Sequence, residues 1–183
     1  MASKSPLKLV KDLFPEIRER FESLVDGEVL VGVPSEEATR NDSKEITNAF
    51  LAYIHDNGSP ARNIPARPFM RPGIAAAKSD VIRAMRQGAD KVLSGEAGAG
   101  SQALHKAGLI AQLKIRATIN DGIPPPLADG TLKGRIRSRR GVKGASAELA
   151  SRKAGNAASL GLAKPLVKTG QLRNSINYVV RKK

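Results

Sequence analysis

The sequence predicts an α+β fold: a small antiparallel sheet packed against two long helices, with an extended basic loop region. Apolar residues recur at helical spacing through residues 74–93 and again through 101–120, which places them on one face of each of two long helices. Two short β-branched runs, EVLVGV at 28–33 and SINYVV at 175–180, read as strands. Residues 131–143 are basic and poor in large apolar side chains, so they read as a segment outside the core.

Along the chain, Leu7, Val10, Phe14, Ile17, Phe21 and Leu24 form one stripe of an amphipathic helix. Pro15 interrupts it. A proline inside a helix removes a hydrogen bond and clashes with the preceding turn, so the chain either kinks near Leu13 or begins a new helix with Pro15 in its first turn. Gly27 stops this helix, and the strand at 28–33 runs to Pro34. Residues 35–44 are polar and aperiodic, a surface loop. A short helix follows at 45–54, on Ile46, Ala49, Phe50, Tyr53 and Ile54, and the turn-forming run Asp56-Asn57-Gly58-Ser59-Pro60 ends it.

Residues 63–73 (NIPARPFMRPG) hold three prolines, which forbid a central strand or a helix there. The first long helix, 74–93, has Ile74, Val81, Ile82, Met85, Ala89 and Val92 as its apolar face and Ser94-Gly95 at its end. A Gly/Ala connector at 95–100 leads to the second, built on Leu104, Ala107, Leu109, Ile110, Leu113, Ile115 and Ile119. Residues 122–130 (GIPPPLADG) form a proline-rich loop, and the alanines of 145–160 favour a helix with little apolar bulk. A loop or short turn at 166–172 precedes the last strand, which can pair with 29–33. No repeat of fixed period is present, and 183 residues suit one domain, 1–183, with 131–163 a basic loop or helical insertion.

Composition narrows the chemistry. No run reaches the ~18 apolar residues of a membrane-spanning helix. The opening MASKSPLKLVKDLF lacks a long apolar stretch ahead of a small-residue cleavage site, which predicts synthesis and retention in a cytoplasm, with no membrane partner. The absence of Cys rules out disulfides, thiolate metal sites and cysteine nucleophiles. Net charge is +14, and it is uneven: residues 1–130 carry 17 basic and 16 acidic side chains, whereas 131–183 carry 14 basic ones and a single acid, Glu148. Charge this dense implies a polyanionic partner or an acidic protein surface, or else a solvated tail.

No residue set points to an enzyme, a cofactor or a metal. Glu36 with Glu37, and Asp12 with Glu16 and Glu19, sit in polar surroundings with nothing to desolvate them, and Asp121 and Asp129 lie in turns. His55 and His105 have neither triad partners nor a ligand set around them and read as structural. The cluster GEAGAG at 95–100 lacks the Lys-Ser/Thr signature and a preceding strand, so it reads as a connector rather than a phosphate loop. Lys133, Arg135, Arg137, Arg139, Arg140 and Lys143 can neutralise phosphates or an acidic neighbour, but the segment has no aromatic residue for base stacking. Contact with DNA would therefore be non-specific.

Two stretches carry a more specific signal. Residues 51–73, LAYIHDNGSPARNIPARPFMRPG, resemble the signature of the tailed-bacteriophage virion morphogenesis proteins, neck and tail-completion components of Mu-like and related phages. In that family an IHxxGS turn is followed by IPARPF and then a helix. Residues 164–178, KPLVKTGQLRNSINY, resemble its C-terminal PLxxTGxLrnSI element, and the preceding basic RKxG step stands here as Ser151 to Gly155. The likeness runs in order from Glu28 to Val180, and it departs between Gly130 and Leu162, which are extended by basic and Ala/Gly-rich residues.

The resemblance implies a non-enzymatic structural protein without cofactors, a collar-like ring at the head-to-tail junction that joins a DNA-filled head to a finished tail. Its expected setting is the virion, with the host cytoplasm during assembly. The expected partners are further copies of the chain, sixfold by the usual symmetry of tails or twelvefold to match a portal, together with head-connector and tail-terminator or tube proteins and the DNA in the channel. Its interface would include Ile64, Pro65, Arg67, Pro68, Phe69, Arg71 and Pro72: the prolines remove ordering entropy in advance, and aromatic and guanidinium groups favour interface centres. Phe69 equally fits a core plug. Thr169 and Gly170 read as a tight turn before Leu172 with Arg173 and Asn174 exposed.

Overall fold

Two helix faces made of small side chains meet at the centre of the protein, whose computed structural model describes residues 14–25, 27–34, 46–139 and 142–182. The element order is α1 (Phe14–Val25), β1 (Gly27–Gly32), α2 (Asn48–Asn57), a 3-10 turn (Pro60–Arg62), α3 (Met70–Leu93), α4 (Ala99–Asp121), α5 (Asp129–Arg137), α6 (Val142–Lys153), α7 (Gln171–Asn174) and β2 (Asn177–Lys182). The fold is α+β. β1 and β2 pair antiparallel with Val29 opposite Val180 and Val31 opposite Tyr178, and both strands rest on α4. Glu28 and Arg181 face each other across the pair, and Arg181 Nε donates to Glu28 Oε1 at 2.6 Å, an opposite-charge pair that supports the register.

The contact between α3 and α4 differs from the expected one in which side chains it buries. Gly73, Ala77, Ala84, Gly88 and Val92 are the buried residues of α3, whereas Ile74 and Ile82 lie on its open side. Opposite them α4 buries Ala99, Ala103, Ala107, Gly108 and Ala111, while Leu109 and Leu113 are exposed. Small side chains let the two backbones come close along most of their length, and bulkier residues are turned outward. A Cβ at Gly88 would run into that of Ala103, and one at Gly108 into the Tyr178 ring of β2. Apolar periodicity therefore located both helices and rightly named Val92 of α3 and Ala107, Ile115 and Ile119 of α4 as buried, but it also put Ile74, Ile82, Leu109 and Leu113 on the packed faces, where they are exposed.

Below this contact Phe69, Ile115, Ile119, Ile123 and Ile176 form the main core, joined by Val31, Val33 and Met70. Phe69 is 0% exposed, so it is a core side chain and has no surface left for a partner. A second core of Leu127, Leu132, Ala145 and Ala163 lies between α5, α6 and the following turn. This corrects the expectation for the basic stretch: residues 131–137 are helical, and Leu132 within them is fully buried. Three residues separate Leu132 from Arg135 and four separate it from Ile136, which puts all three on the inner face of α5 and sends Lys133 and Arg137 outward.

Two prolines settle into first turns. Pro15 is the second residue of α1, which begins at Phe14 among the described residues, and Pro72 is the third of α3. The first amides of a helix have no intrahelical acceptor, so a missing N–H there has no effect on the ladder. α3 therefore starts at Met70, within the stretch whose prolines were expected to forbid a helix. On α1, Phe14 and Ile17 of the apolar stripe are exposed. The part of that stripe before Phe14, and the loop at 35–44, lie outside the described residues.

The helix contact makes a direct test. A Cβ at Gly73 would lie 2.6 Å from the Ile115 Cα, a backbone atom that no rotamer change can move. Gly73→Ala gains up to ~1 kcal/mol of helix propensity but loses roughly 1–3 kcal/mol to overpacking. The expected net result is destabilisation, read as a lower urea midpoint with an unchanged slope.

Candidate functional site

The segment from α2 to α3 is folded back on itself by its own backbone and by two side chains. Thr47 Oγ1 accepts from the Phe50 amide and starts α2. Gly58 ends it at φ +80°, a left-handed conformation that other residues resist, and the approach of Ala66 leaves no room for a Cβ there. Ser59 and Ile64 then exchange backbone hydrogen bonds of 2.8 and 3.0 Å, and the Arg67 amide donates to His55 O at 2.7 Å. Asp56 Oδ1 accepts from the amides of Phe69 and Met70 at 2.7 and 3.0 Å. The carboxylate thus satisfies two amides at the start of α3, where the helix dipole favours negative charge, and points Phe69 into the core.

Arg67 lies inside, 6% exposed. Its Nε and Nη2 donate to Pro125 O at 3.0 and 2.8 Å, and Nη2 also reaches Pro126 O at 3.4 Å, so the guanidinium latches the proline-rich loop onto the segment after α2. Arg135 of α5 does the same across the same space: it is 7% exposed, and its Nη1 donates to Lys164 O at 3.0 Å and to Val167 O at 3.5 Å. Burial lowers the pKa of both groups, and for Arg135 the neighbouring Arg67 charge lowers it further.

Between these two arginines lies a cleft of about 1230 Å³. One wall is the segment from Asn57 to Arg67, the floor is Pro125 to Ala128 with Thr131, Gly134 and Arg135, and the far wall is Leu166, Lys168, Thr169 and Leu172. The far wall is held by α4. Gln112 Nε2 donates to Ile176 O at 3.0 Å, and Arg116 donates through Nη2 to Asn174 O and Ile176 O at 2.9 and 2.7 Å. Gly170, at φ +78°, turns the chain into α7. Arg173 is half-buried, against the expectation of an exposed side chain, because its Nη1 donates to Asn120 Oδ1 at 3.0 Å.

Behind the cleft a carboxylate holds α6 in place. Glu148, the single acid of the basic third, is 1% exposed. It accepts from the Ser159 hydroxyl and amide at 2.6 and 2.7 Å and from Arg152 Nε at 2.9 Å. Arg152 Nη1 continues to Asp129 Oδ1 at 2.6 Å, tying the start of α5 to the end of α6. The Ser159 hydrogen bonds, and then Arg152, hold the Glu148 carboxyl below its usual range against the opposing effect of burial. Burial alone would lower the Arg152 pKa, but its bonds to Asp129 and Glu148 raise it.

No protein-family model matches the chain, and no curated protein or solved structure matches it either.

The expected interface residues are divided by the fold. Arg67 and Phe69 are inside; Pro65, Pro68, Arg71 and Pro72 are exposed and Ile64 is half-buried. Among the basic residues Arg135 is buried in the lining of the cleft, while Lys133, Arg137, Arg139 and Lys143 are exposed, and Arg140 lies outside the described residues. What sequence reasoning missed is that Arg67 and Arg135 face one space, and that Lys168 joins them there. The alternation of Pro and Arg around Arg67 gave no local sign of an acceptor 58 residues away. His105 packs edge-on against Tyr178 with ring centroids 5.8 Å apart. Among the described residues no three His, Cys, Asp or Glu side chains are grouped to hold a metal ion, and no helix is long and apolar enough to cross a membrane.

Glu148 sets a pH dependence with a definite sign. Its folded-state pKa lies below the ordinary value of 4.5, so its stabilising effect is complete above that pH and disappears as pH falls through the lowered folded value. Thermal melts from pH 6 down to pH 2 are expected to show Tm falling from about 4.5 downward, and Glu148→Gln is expected to flatten that part of the profile while lowering Tm at pH 6.

Proposed function

We propose that this chain is a structural component of a tailed-phage virion, a neck or tail-completion protein that assembles as a ring and joins a DNA-filled head to the tail. One observation supports this reading above the others. The two stretches that resemble the virion morphogenesis family, 51–73 and 164–178, lie about a hundred residues apart in the chain yet both contribute to the lining of one cleft. Most of the distinctive residues in them have a part in building it: Asp56 caps α3, Gly58 takes a left-handed turn, Arg67 latches the floor, and Gly170 turns the chain into α7. A concave surface lined in part by exposed Pro60 and Pro65 suits a protein that works by shape, since a rigid rim loses little freedom on docking.

Exposed apolar side chains give such a ring material for contact between copies. Phe50 and Tyr53 on α2, Ile74 and Ile82 on α3, and Leu109 and Leu113 on α4 are all open on the described surface. Phage particles made without this chain are expected to accumulate as separate filled heads and tails by electron microscopy, and the purified chain is expected to co-sediment with connector or tail-terminator proteins. Infectious virions formed in its absence would remove the reading.

A second reading, non-specific binding to DNA, is favoured by a different observation. Lys133, Arg137, Arg139 and Lys143 are exposed on α5, the turn after it and α6, and none has a carboxylate partner among the described residues. Affinity for duplexes of unrelated sequence is then expected to be equal and to fall steeply with salt. Replacing these four residues with Ala is expected to reduce the slope of log K against log salt by about 3 to 4, at ~0.9 per lost phosphate contact. An unchanged slope would place any DNA contact elsewhere.

A further inference from the structure

The cleft between Arg67 and Arg135 is charged in one sense only. Among the described residues lining it, the charged ones are Arg67, Arg135 and Lys168, and no Asp or Glu is present. Arg67 and Arg135 are both buried residues, yet the partners of their guanidinium groups are backbone carbonyls, which are dipoles and leave the full positive charge uncancelled. Arg67 Nη1 and Arg135 Nε and Nη2 have no acceptor among the described residues. Two like charges facing one cleft repel, consistent with the lowering of the Arg135 pKa by Arg67, and an anion placed between them relieves that repulsion.

The shape selects the kind of anion. At about 1230 Å³ the cleft is far larger than one inorganic ion, and Leu51, Leu127 and Leu166 contribute apolar lining beside the cations. A DNA duplex is convex and presents its phosphates outward, so it meets the outer side of α5 rather than this concavity. A chain segment that alternates carboxylates with apolar side chains matches both halves of the lining.

We propose that the cleft is a receptor for an acidic segment of a partner protein, whose carboxylates lie against Arg67, Arg135 and Lys168 and whose apolar side chains lie against Leu51, Leu127 and Leu166. This does not depend on the virion reading: infectivity tests that one, and peptide binding tests this one.

The experiment uses the full chain and a short fluorescent peptide that alternates Glu with Leu, followed by anisotropy at about 0.15 M salt, where exposed charges more than ~8 Å apart are largely screened. The peptide is expected to bind at least about tenfold more tightly than the same peptide with Gln in place of Glu. Lys168→Glu, an exposed position whose change leaves the core untouched, is expected to weaken binding by about tenfold. Lys133→Glu makes the same charge change on α5 outside the cleft and is expected to alter affinity less than about twofold. Arg67→Lys keeps the charge but loses the fork that holds Pro125, and circular dichroism separates an unfolded variant from a folded one with weakened binding. Four outcomes would overturn the proposal: no peptide binding; equal affinity for the Gln peptide; equal loss in the Lys168 and Lys133 variants; or occupation of the cleft by inorganic phosphate or by a duplex oligonucleotide with no preference for the peptide.

Discussion

The near contact of α3 and α4 is the constraint from which the remaining geometry follows. Gly73 and Gly88 stand where a methyl group would collide with α4, Gly108 stands where one would collide with Tyr178 of β2, and alanines fill several of the other buried positions. Close-packed interiors transmit small displacements rather than absorbing them. The separation of these two helices therefore fixes where Ile115 meets Phe69, how near Tyr178 brings the sheet, and where Gln112 and Arg116 grip the turn before β2.

On this frame the loops are held by polar groups reaching backbone carbonyls rather than by a further apolar layer. Arg67, Arg135, Arg116 and Gln112 all donate to main-chain oxygens, most of them outside helices and strands. Such carbonyls are costly when buried without a donor, and a guanidinium can satisfy several from one side chain. The arrangement leaves long irregular segments, 122–128 and 154–170, well placed without secondary structure of their own. It also leaves charge in the wall of the cleft, which a purely apolar support would not do.

Much of the fold was legible because it follows from local pattern. The β-branched pairs Val29, Val31 and Val179, Val180 identify strands that do pair, and the helix ends at Gly58 and Ser94-Gly95 coincide with turn chemistry, whereas Gly27 opens β1. The helix faces were less legible because bulk was taken as the sign of burial. Ile82 is bulky and exposed, whereas Gly88 is bare and buried, since what the contact needs is proximity of backbones. The basic stretch hid a helix for a similar reason: one leucine, Leu132, anchors it, and a single residue makes no period. The site was half legible. Arg67 and Arg135 stood out by type, but their burial depends on acceptors 58 and 29 residues distant, which no local spacing records.

The two strands of the sheet lie at opposite ends of the described chain, with Glu28 and Arg181 separated by 153 residues. During synthesis the first strand leaves the ribosome long before its partner exists, and its edge stays open through all the intervening elongation. A polypeptide truncated before Asn177 keeps its helices' local signals but exposes Val29 and Val31 without a cover, and such an edge is a template for aggregation or for capture by a chaperone.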